Sequence, residues 1–500
     1  VLAAPPWDLV ILDEAHAARR REQEEGEFNS ATLLLELLRQ LQLRRRTRSI
    51  LLLSATPMQT HPWEPWDLLA VLGEGGAWLA GFQNVRNYYD AVAALEQGHL
   101  DRGLADRAAD LIVADPDFPR DQLQATVTSS SLAQRLAFAT SSERTKLVSW
   151  LRRGAPLGRR MHRNTRDTLR KYYERDPLIT RLPNRLPPHD IEYDFADPEE
   201  REVYQAVTAY INRRFDELER EKPGKGFVMT IYRRRAASSP YALQCSLKRR
   251  ADGLRRVAER KAEADYLPHE DVPERLDASE LPQTDAGDQI SAAYPSDPDV
   301  ARAELKEVES LLDRIAALGG KDTKRDHFTE LLRQITDQGR AVLVFSEYVD
   351  TMHYLRDWLV DRYGKRLGCY SGDGGETWDG RGWQAVTKDV IQQKLMATEL
   401  SVLVCTDAAS EGLNLQAASA VINYDLPWNP SKVEQRIGRV DRIGQMQPDV
   451  RVINLFLHES VDEQVYKALE TRCGLFTHFV GHMQPVLARA RRMLMGQEPV

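Results

Sequence analysis

Asp13-Glu14-Ala15-His16 follows the apolar run at 7–12, which reads as a buried parallel strand. An acid pair at the carboxyl end of such a strand faces the crevice where parallel α/β sheets bind ligands. Asp13 can hold Mg²⁺ through its water shell, and Glu14 can orient or deprotonate a water for attack on a γ-phosphate. A bare acid pair in this place is more often a turn capping a helix; the complete tetrad, ending in His16, favours the phosphoryl chemistry. Ser54-Ala55-Thr56 closes a second apolar run, 49–53, and Pro57 stops it. Its hydroxyls can bond both the acid pair and a facing backbone, although Ser and Thr at a strand end are also ordinary turn formers. The densest signal lies further on. Thr406-Asp407-Ala408-Ala409-Ser410-Glu411-Gly412-Leu413-Asn414 follows a strand-like run, and Gln435 to Gln445 carries Arg436, Arg439 and Arg442 at three-residue spacing. On a helix that spacing places the three guanidinium groups near one face, where they can offset charge building on a transferring phosphate. A solvated basic helix is the alternative, and the trailing Ile443-Gly444-Gln445 argues against it.

Such residues need strands to hold them. The first part reads strand 7–12, helix 31–43, strand 49–53, then a mostly helical stretch at 66–151. An amphipathic helix at 306–318 opens a second alternation: strand 341–345, helix 351–363, strand 368–370, helix 385–395, strands 401–405 and 420–424, helix 431–440, strand 451–456. The expected fold is α/β, a parallel sheet with helices on both faces, followed by a helical tail from 461.

The 500 residues suffice for about two to four domains, with 42% apolar and 29% charged residues typical of globular proteins. Four cysteines, none in a CxxC pair, exclude a zinc ribbon or a disulfide framework. No apolar run reaches the ~18 residues of a membrane helix, so no membrane role and a cytoplasmic location are expected. The net charge of −7 hides a segregated distribution. Residues 262–300 hold eleven acids against the single base Arg275, a charge of −10 that leaves +3 for the remainder. This stretch reads as a solvated linker and marks an expected domain boundary. Bases gather at 152–171 and 233–256, where they could neutralise backbone phosphates or lie on solvated helix faces paired with acids. Trp63, Trp66 and Trp428 could stack on bases, but aromatic residues beside prolines more often pack in cores. Gly380-Arg381-Gly382-Trp383-Gln384-Ala385 fits a dinucleotide fingerprint, yet without a strand expected before it the stretch reads as a surface loop.

In chain order, the Asp13 tetrad, Ser54-Ala55-Thr56-Pro57, Val342-Leu343-Val344-Phe345-Ser346, Tyr370-Ser371-Gly372, Thr406 to Asn414 and Gln435 to Gln445 resemble motifs II to VI of helicase superfamily two. The Arg442-Ile443-Gly444-Gln445 ending is similar to the Swi/Snf branch. Arg163-Asn164-Thr165-Arg166, residues 233–243 and Leu426-Pro427-Trp428-Asn429-Pro430 resemble the bacterial RapA/HepA-like proteins within it. The resemblance covers residues 7 to about 487. It implies two RecA-like lobes, hydrolysis of ATP with Mg²⁺ at their interface, and translocation along double-stranded DNA without strand separation. Carried over residue by residue, it makes Asp13 and Glu14 the metal-ordering and water-activating acids and Arg439 and Arg442 the arginine fingers. His16, Ser54, Thr56, Asp407, Gly412 and Gln435 become coupling or nucleotide residues, and Arg163, Arg166, Arg233, Arg234, Thr406 and Ser410 nucleic-acid contacts. RapA-like proteins act on RNA polymerase and related bacterial proteins serve anti-phage defence of the DISARM type, so both partner classes follow from the resemblance.

One departure stands out: no G-x-x-x-x-G-K-[ST] phosphate loop occurs. Gly319-Gly320-Lys321-Asp322 lacks the first glycine and the hydroxyl after Lys321. In the family that loop precedes the acid tetrad, so the expectation is an incomplete first lobe, through truncation or because a separate chain carries the loop. The expected domains are a partial first lobe at 1–205 with a helical insertion at 66–160, a basic helical connector at 206–260, an acidic linker at 261–302, a second lobe at 303–457 and C-terminal helices at 458–500. Two competing readings remain. A DEAH-type RNA helicase shares the tetrad but usually ends its last motif Gly-Arg-x-Gly-Arg, and a non-hydrolysing DNA-binding regulatory fragment would explain the missing loop.

Overall fold

The computed structural model describes residues 5–20, 31–54, 57–58, 62–122, 128–162, 166–175, 182–221, 229–259, 294–295, 297–410, 414–427 and 429–479. The chain divides into two compact units, Val1–Lys171 with Arg472–Met483, and Tyr172–Thr471 with Gln484–Val500.

In the first unit, strands β1 (Trp7–Leu12) and β2 (Thr47–Leu52) pair in parallel, with Leu9 opposite Ser49 and Leu12 opposite Leu52. Helix α1 (Leu33–Leu43) connects them, N-capped by Thr32, whose hydroxyl accepts the Leu35 amide. Because side chains alternate along a strand, Val10, Leu12, Ile50 and Leu52 share one face and pack on Ala15, Leu35 and Leu38 with Leu68 and Val71 of α2 (Glu64–Val71). Trp7, Leu9, Ile11 and Leu51 lie on the opposite face and are exposed. The helical insertion is α3 (Phe82–Gln97), α4 (Arg102–Ala114), α5 (Ser129–Ala137), α6 (Ser141–Gly154) and α7 (Pro156–Arg160), and α8 (Arg166–Arg175) follows. Trp66 and Trp78 stack at 5.8 Å in its core, and the Trp78 Nε1–H donates to Asp115 at 2.9 Å. Trp63 and Trp66 are thus buried packing residues, while Trp428 lies outside the described residues.

The second unit is an α/β domain. Its sheet runs β3 (Asn184–Arg185), β11 (Asp449–Leu457), β10 (Ala420–Asn423), β5 (Val342–Phe345), β9 (Val402–Cys405), β6 (Leu367–Ser371), β7 (Gly374–Trp378) and β8 (Trp383–Val386), and β4 (His189–Tyr193) also pairs with β11. Every pairing is parallel except β6 with β7 and β7 with β8. The central strands β5, β9 and β10 are buried at every residue, as parallel strands covered on both faces must be. Val342 and Val344 enter one core with Phe328, Leu355 and Leu359, while Leu343 and Phe345 enter the other with Ile391, Leu395 and Val440. The helices of this unit are α9 (Pro198–Glu221), α10 (Met229–Ser238), α11 (Pro240–Glu259), α12 (Pro298–Ala317), α13 (Thr323–Thr336), α14 (Val349–Tyr363), α15 (Lys388–Met396), α16 (Pro430–Ile437) and α17 (Val461–Phe479).

Three expectations about organisation change. Strands β3 and β4, expected in the first lobe that ended at 205, join the edge of the second sheet. The acidic stretch does not separate domains: α11 and α12, on either side of it, pack together through Leu243, Leu247, Leu254, Val308 and Leu311. Most of that stretch lies outside the described residues, and α12 begins at Pro298, N-capped by Asp297, well ahead of the expected 306. The Gly380-Arg381-Gly382 turn is preceded by a strand after all, but it is the reversal of an antiparallel hairpin, with Asp379 accepting the amides of Arg381 and Gly382.

The layer formed by α9, α10, α11 and α12 has an ionic centre. Arg250 and Glu304 are both fully buried; Arg250 Nη2 lies 2.5 Å from Glu304 Oε1, which also accepts the Tyr210 hydroxyl at 2.7 Å. Among the described residues, removing Arg250 leaves the buried Glu304 carboxylate with only Arg214, whose Nε lies 3.6 Å away, to offset it. Arg250→Met is therefore expected to destabilise the second unit by about 3–5 kcal/mol in urea unfolding. Arg250→Met combined with Glu304→Leu should recover most of the loss, and a single-variant cost under about 1 kcal/mol would show that the pair is not constrained this way.

Candidate functional site

The acid tetrad forms a tight turn at the end of β1. Glu14 adopts φ 49° and ψ 47°, a left-handed conformation that costs a non-glycine residue about 1–2 kcal/mol. The turn is held there by hydrogen bonds: Asp13 Oδ1 accepts the Glu14 amide at 2.9 Å, and the Ala15 amide donates to Leu53 O at 2.8 Å. Both carboxylates remain exposed. Asp13 offers the sparse ligation that suits Mg²⁺, which keeps waters and takes phosphate oxygens as its other ligands.

His16 Nδ1 lies 3.2 Å from Ser54 Oγ and 3.2 Å from Glu14 Oε2, so Ser54 meets the tetrad through His16, where a bond to the acid pair was expected. Burial, with Arg19 nearby, pushes the His16 pKa down to about 4, against the opposing pull of Asp13. Thr56 lies outside the described residues. Sequence reasoning missed Arg19 and Arg20: Arg20 grips Asp67 on α2 at 2.8 and 2.9 Å, and Arg19 lies 3.7 Å from Glu64. Both acids are buried, so the turn is fastened to α2 by ion pairs that only packing reveals.

In the second unit, Asp407 follows β9 and faces inward. Its carboxylate accepts Arg436 Nε at 2.5 Å and lies 3.6 Å from Lys432 Nζ. Burial alone would raise its pKa, but Arg436 and Lys432 outweigh that and hold it below the usual carboxylate range. Arg436 is fully buried; its Nη1 donates to Asn423 Oδ1 at 3.1 Å and to Asp425 O at 2.7 Å. The three arginines therefore do not share one helical face. Helix α16 stops at Ile437 rather than 440, and the chain turns. Arg436 lies in the core, Arg439 is partly exposed with Nε toward Gln435 O at 3.4 Å, and Arg442 is exposed. Gln445, to which no role was assigned, ties this loop down: its Nε2 donates to Ala418 O and Val440 O, each at 2.8 Å. Thr406 is buried at the end of β9, the Ser410 side chain is not described, and Gly412 lies outside the described residues.

Many bases of these stretches meet partners within their own unit, although Arg152, Arg153 and Arg160 stay more than half exposed. Arg152 pairs with Glu96, Arg153 with Asp121, Arg159 with Asp115 and Arg160 with Glu74. Arg233 bonds Asn212, and Arg234 forms a buried pair with Glu347 that raises its pKa despite the opposing effect of burial. Arg163 lies outside the described residues, and Arg166 is placed on α8 without its side chain.

His16 supplies a pH test. Its folded pKa lies below the ordinary 6.5, so its contribution to stability is complete above pH 6.5 and is lost as the pH falls toward about 4. Urea unfolding at pH 7 and pH 5 should show the first unit weakening at the lower pH, with His16→Gln showing a smaller difference; an equal difference in the variant would assign the effect to other groups.

Residues 323–444 match the helicase conserved C-terminal domain. That segment runs from α13 through the arginine loop. The uncharacterized ATP-dependent helicase YqhH of Bacillus subtilis (strain 168) is 34% identical over 182 residues, which cover 36% of this chain and 30% of that protein. The RNA polymerase-associated protein RapA of Sodalis glossinidius (strain morsitans) is 32% identical over 139 residues, covering 27% of this chain and 13% of that protein. The matched segments thus span less than a third of either relative. The Pyrococcus furiosus Hef helicase domain overlaps 93% of this chain and 74% of that one at 15% identity and a TM-score of 0.33. Within the second unit, residues 323–444 thus match the helicase conserved C-terminal domain, and part of the chain is similar to a protein described as an ATP-dependent helicase.

Proposed function

We propose that this chain forms part of an ATP-dependent double-stranded DNA translocase of the Swi/Snf type. The observation that carries the reading is the division of labour among the three motif arginines: Arg436 is consumed in holding Asp407 and the ends of β9 and β10, while Arg439 and Arg442 stand on a loop that Gln445 pins. A fixed loop that carries an exposed Arg442 and a partly exposed Arg439 suits the stabilising of charge on a transferring phosphate. The Ile443-Gly444-Gln445 ending, in place of the Gly-Arg ending usual in DEAH RNA helicases, supports the duplex-DNA branch.

In this reading Asp13 holds Mg²⁺ through water and Glu14 orients the attacking water, with the strained Glu14 backbone setting its carboxylate beside the neutral His16. Bound Mg²⁺ would supply charge neutralisation on the phosphate oxygens. This reading needs a phosphate loop, which these 500 residues lack, supplied by the same or a separate chain, and the exposed apolar face of β1 and β2 is a surface that suits a covering segment. Arg163, Arg166 and Ser410 are the proposed DNA contacts, since Arg233 and Arg234 are engaged by Asn212 and Glu347 and Thr406 is buried. RNA polymerase, named in the RapA relative, is the first protein partner to test.

The deciding measurement is ATP hydrolysis by the protein that includes its phosphate loop, with duplex DNA, with RNA and without nucleic acid. Stimulation by duplex DNA that Glu14→Gln reduces by about 10²-fold or more is expected. Stimulation by RNA alone would favour the RNA helicase, and DNA binding without nucleotide binding would favour a regulatory fragment. The 500-residue chain alone should not turn over ATP; turnover lost in Glu14→Gln would mean that residues within it cradle the phosphates.

A further inference from the structure

Strand β3 carries an arginine that reaches the arginine loop. The amides of Asn184 and Leu186 donate to Pro448 O and Val450 O at 2.8 and 2.9 Å, which fixes the backbone on both sides of Arg185. The Arg185 side chain is 3% exposed, and its Nη1 lies 2.9 Å from both carboxylate oxygens of Glu434 and 3.9 Å from Asp441 Oδ2. Glu434 sits in the last turn of α16, and Asp441 lies between Arg439 and Arg442. One buried guanidinium thus joins the end of the helix to the middle of the loop that follows it. Without that cation the nearly buried Asp441 carboxylate, 4% exposed, would lose a charge partner inside the fold, and the link from the loop to Glu434 on α16 would be gone.

We infer that Arg185 is a positioning residue for Arg439 and Arg442, holding their loop in the geometry that phosphoryl transfer needs; this rests on the proposed function. Arg185 fixes the loop at its start and middle, and Gln445 fixes its end.

Two readouts test this, one of them independent of turnover. In the 500-residue chain, Arg185→Gln should speed amide exchange at residues 439–445 by about tenfold or more, while exchange in β5 and β9 stays unchanged. In the protein with its phosphate loop, the same variant should lower kcat by about tenfold or more with nucleotide Kd within about twofold, and Arg185→Lys should fall between. Asp441→Asn, which keeps the side-chain shape, should lower kcat in the same direction with nucleotide Kd again within about twofold. Unchanged exchange at 439–445 in Arg185→Gln overturns the inference, as does an unchanged kcat once the loop is loosened, or a loss of kcat matched by an equal loss of affinity. A wild-type protein without ATPase activity would count against the proposed function, while the exchange experiment would still decide whether Arg185 holds the loop.

Discussion

A guanidinium with no exposed surface sits at the carboxyl ends of β9 and β10, and the second unit's chemistry depends on keeping it paired. Arg436 satisfies Asp407, Asn423 and the Asp425 carbonyl at once and lies over the Phe345 ring. Each of those groups ends or follows a strand of the buried parallel sheet, so one side chain from α16 locks the helix to three strand ends. A buried charge of this kind constrains its surroundings, because its desolvation is offset only by the partners of Nε and Nη1, Nη2 having none among the described residues. The direction of α16 and the place where the arginine loop leaves it follow from that requirement.

The same logic extends to the α9–α12 layer. Asp425 accepts Ser238, Ser346 and Lys324, and Lys324 also faces Asp462, whose pKa burial pushes up to about 6. Arg234 meets Glu347, and Arg235 and Arg249 share Asp350, so the segment after β5 is pinned to α10 and α11 by charge as well as by apolar packing. A basic stretch that could have gripped phosphates is instead a set of fastenings. In the first unit, Arg19 and Arg20 do the same for the acid turn by reaching the buried acids of α2.

Ionic fastening of this sort places exposed chemistry on rigid supports. Asp13 and Glu14 are exposed on a turn that hydrogen bonds hold in a strained conformation, and Arg442 is exposed on a loop held by Gln445. Strain and burial are concentrated one residue away from the groups that meet solvent, which lets those groups keep their direction.

Much of this was legible in the residue order. Apolar runs such as Val342–Phe345 and Val402–Cys405 could only be buried strands, and β1 ends where its apolar run ends, so the acid tetrad and the Thr406 segment were correctly set at strand ends. The short β3 and β4 strands carried no such signal: prolines flank them, and they are strands only because β11 offers its edge. The hairpin of β7 and β8 was likewise missed, since glycine-rich strands show no apolar run. Above all, sequence treats Arg436, Arg439 and Arg442 alike, and Arg185, Arg234 and Arg250 as so many positive charges. Residue type and spacing determined which groups could do chemistry and which strands would carry them. The tertiary structure decided which charges were left to do it, because a guanidinium becomes a fastening or a free group according to whether a carboxylate distant in sequence is folded against it.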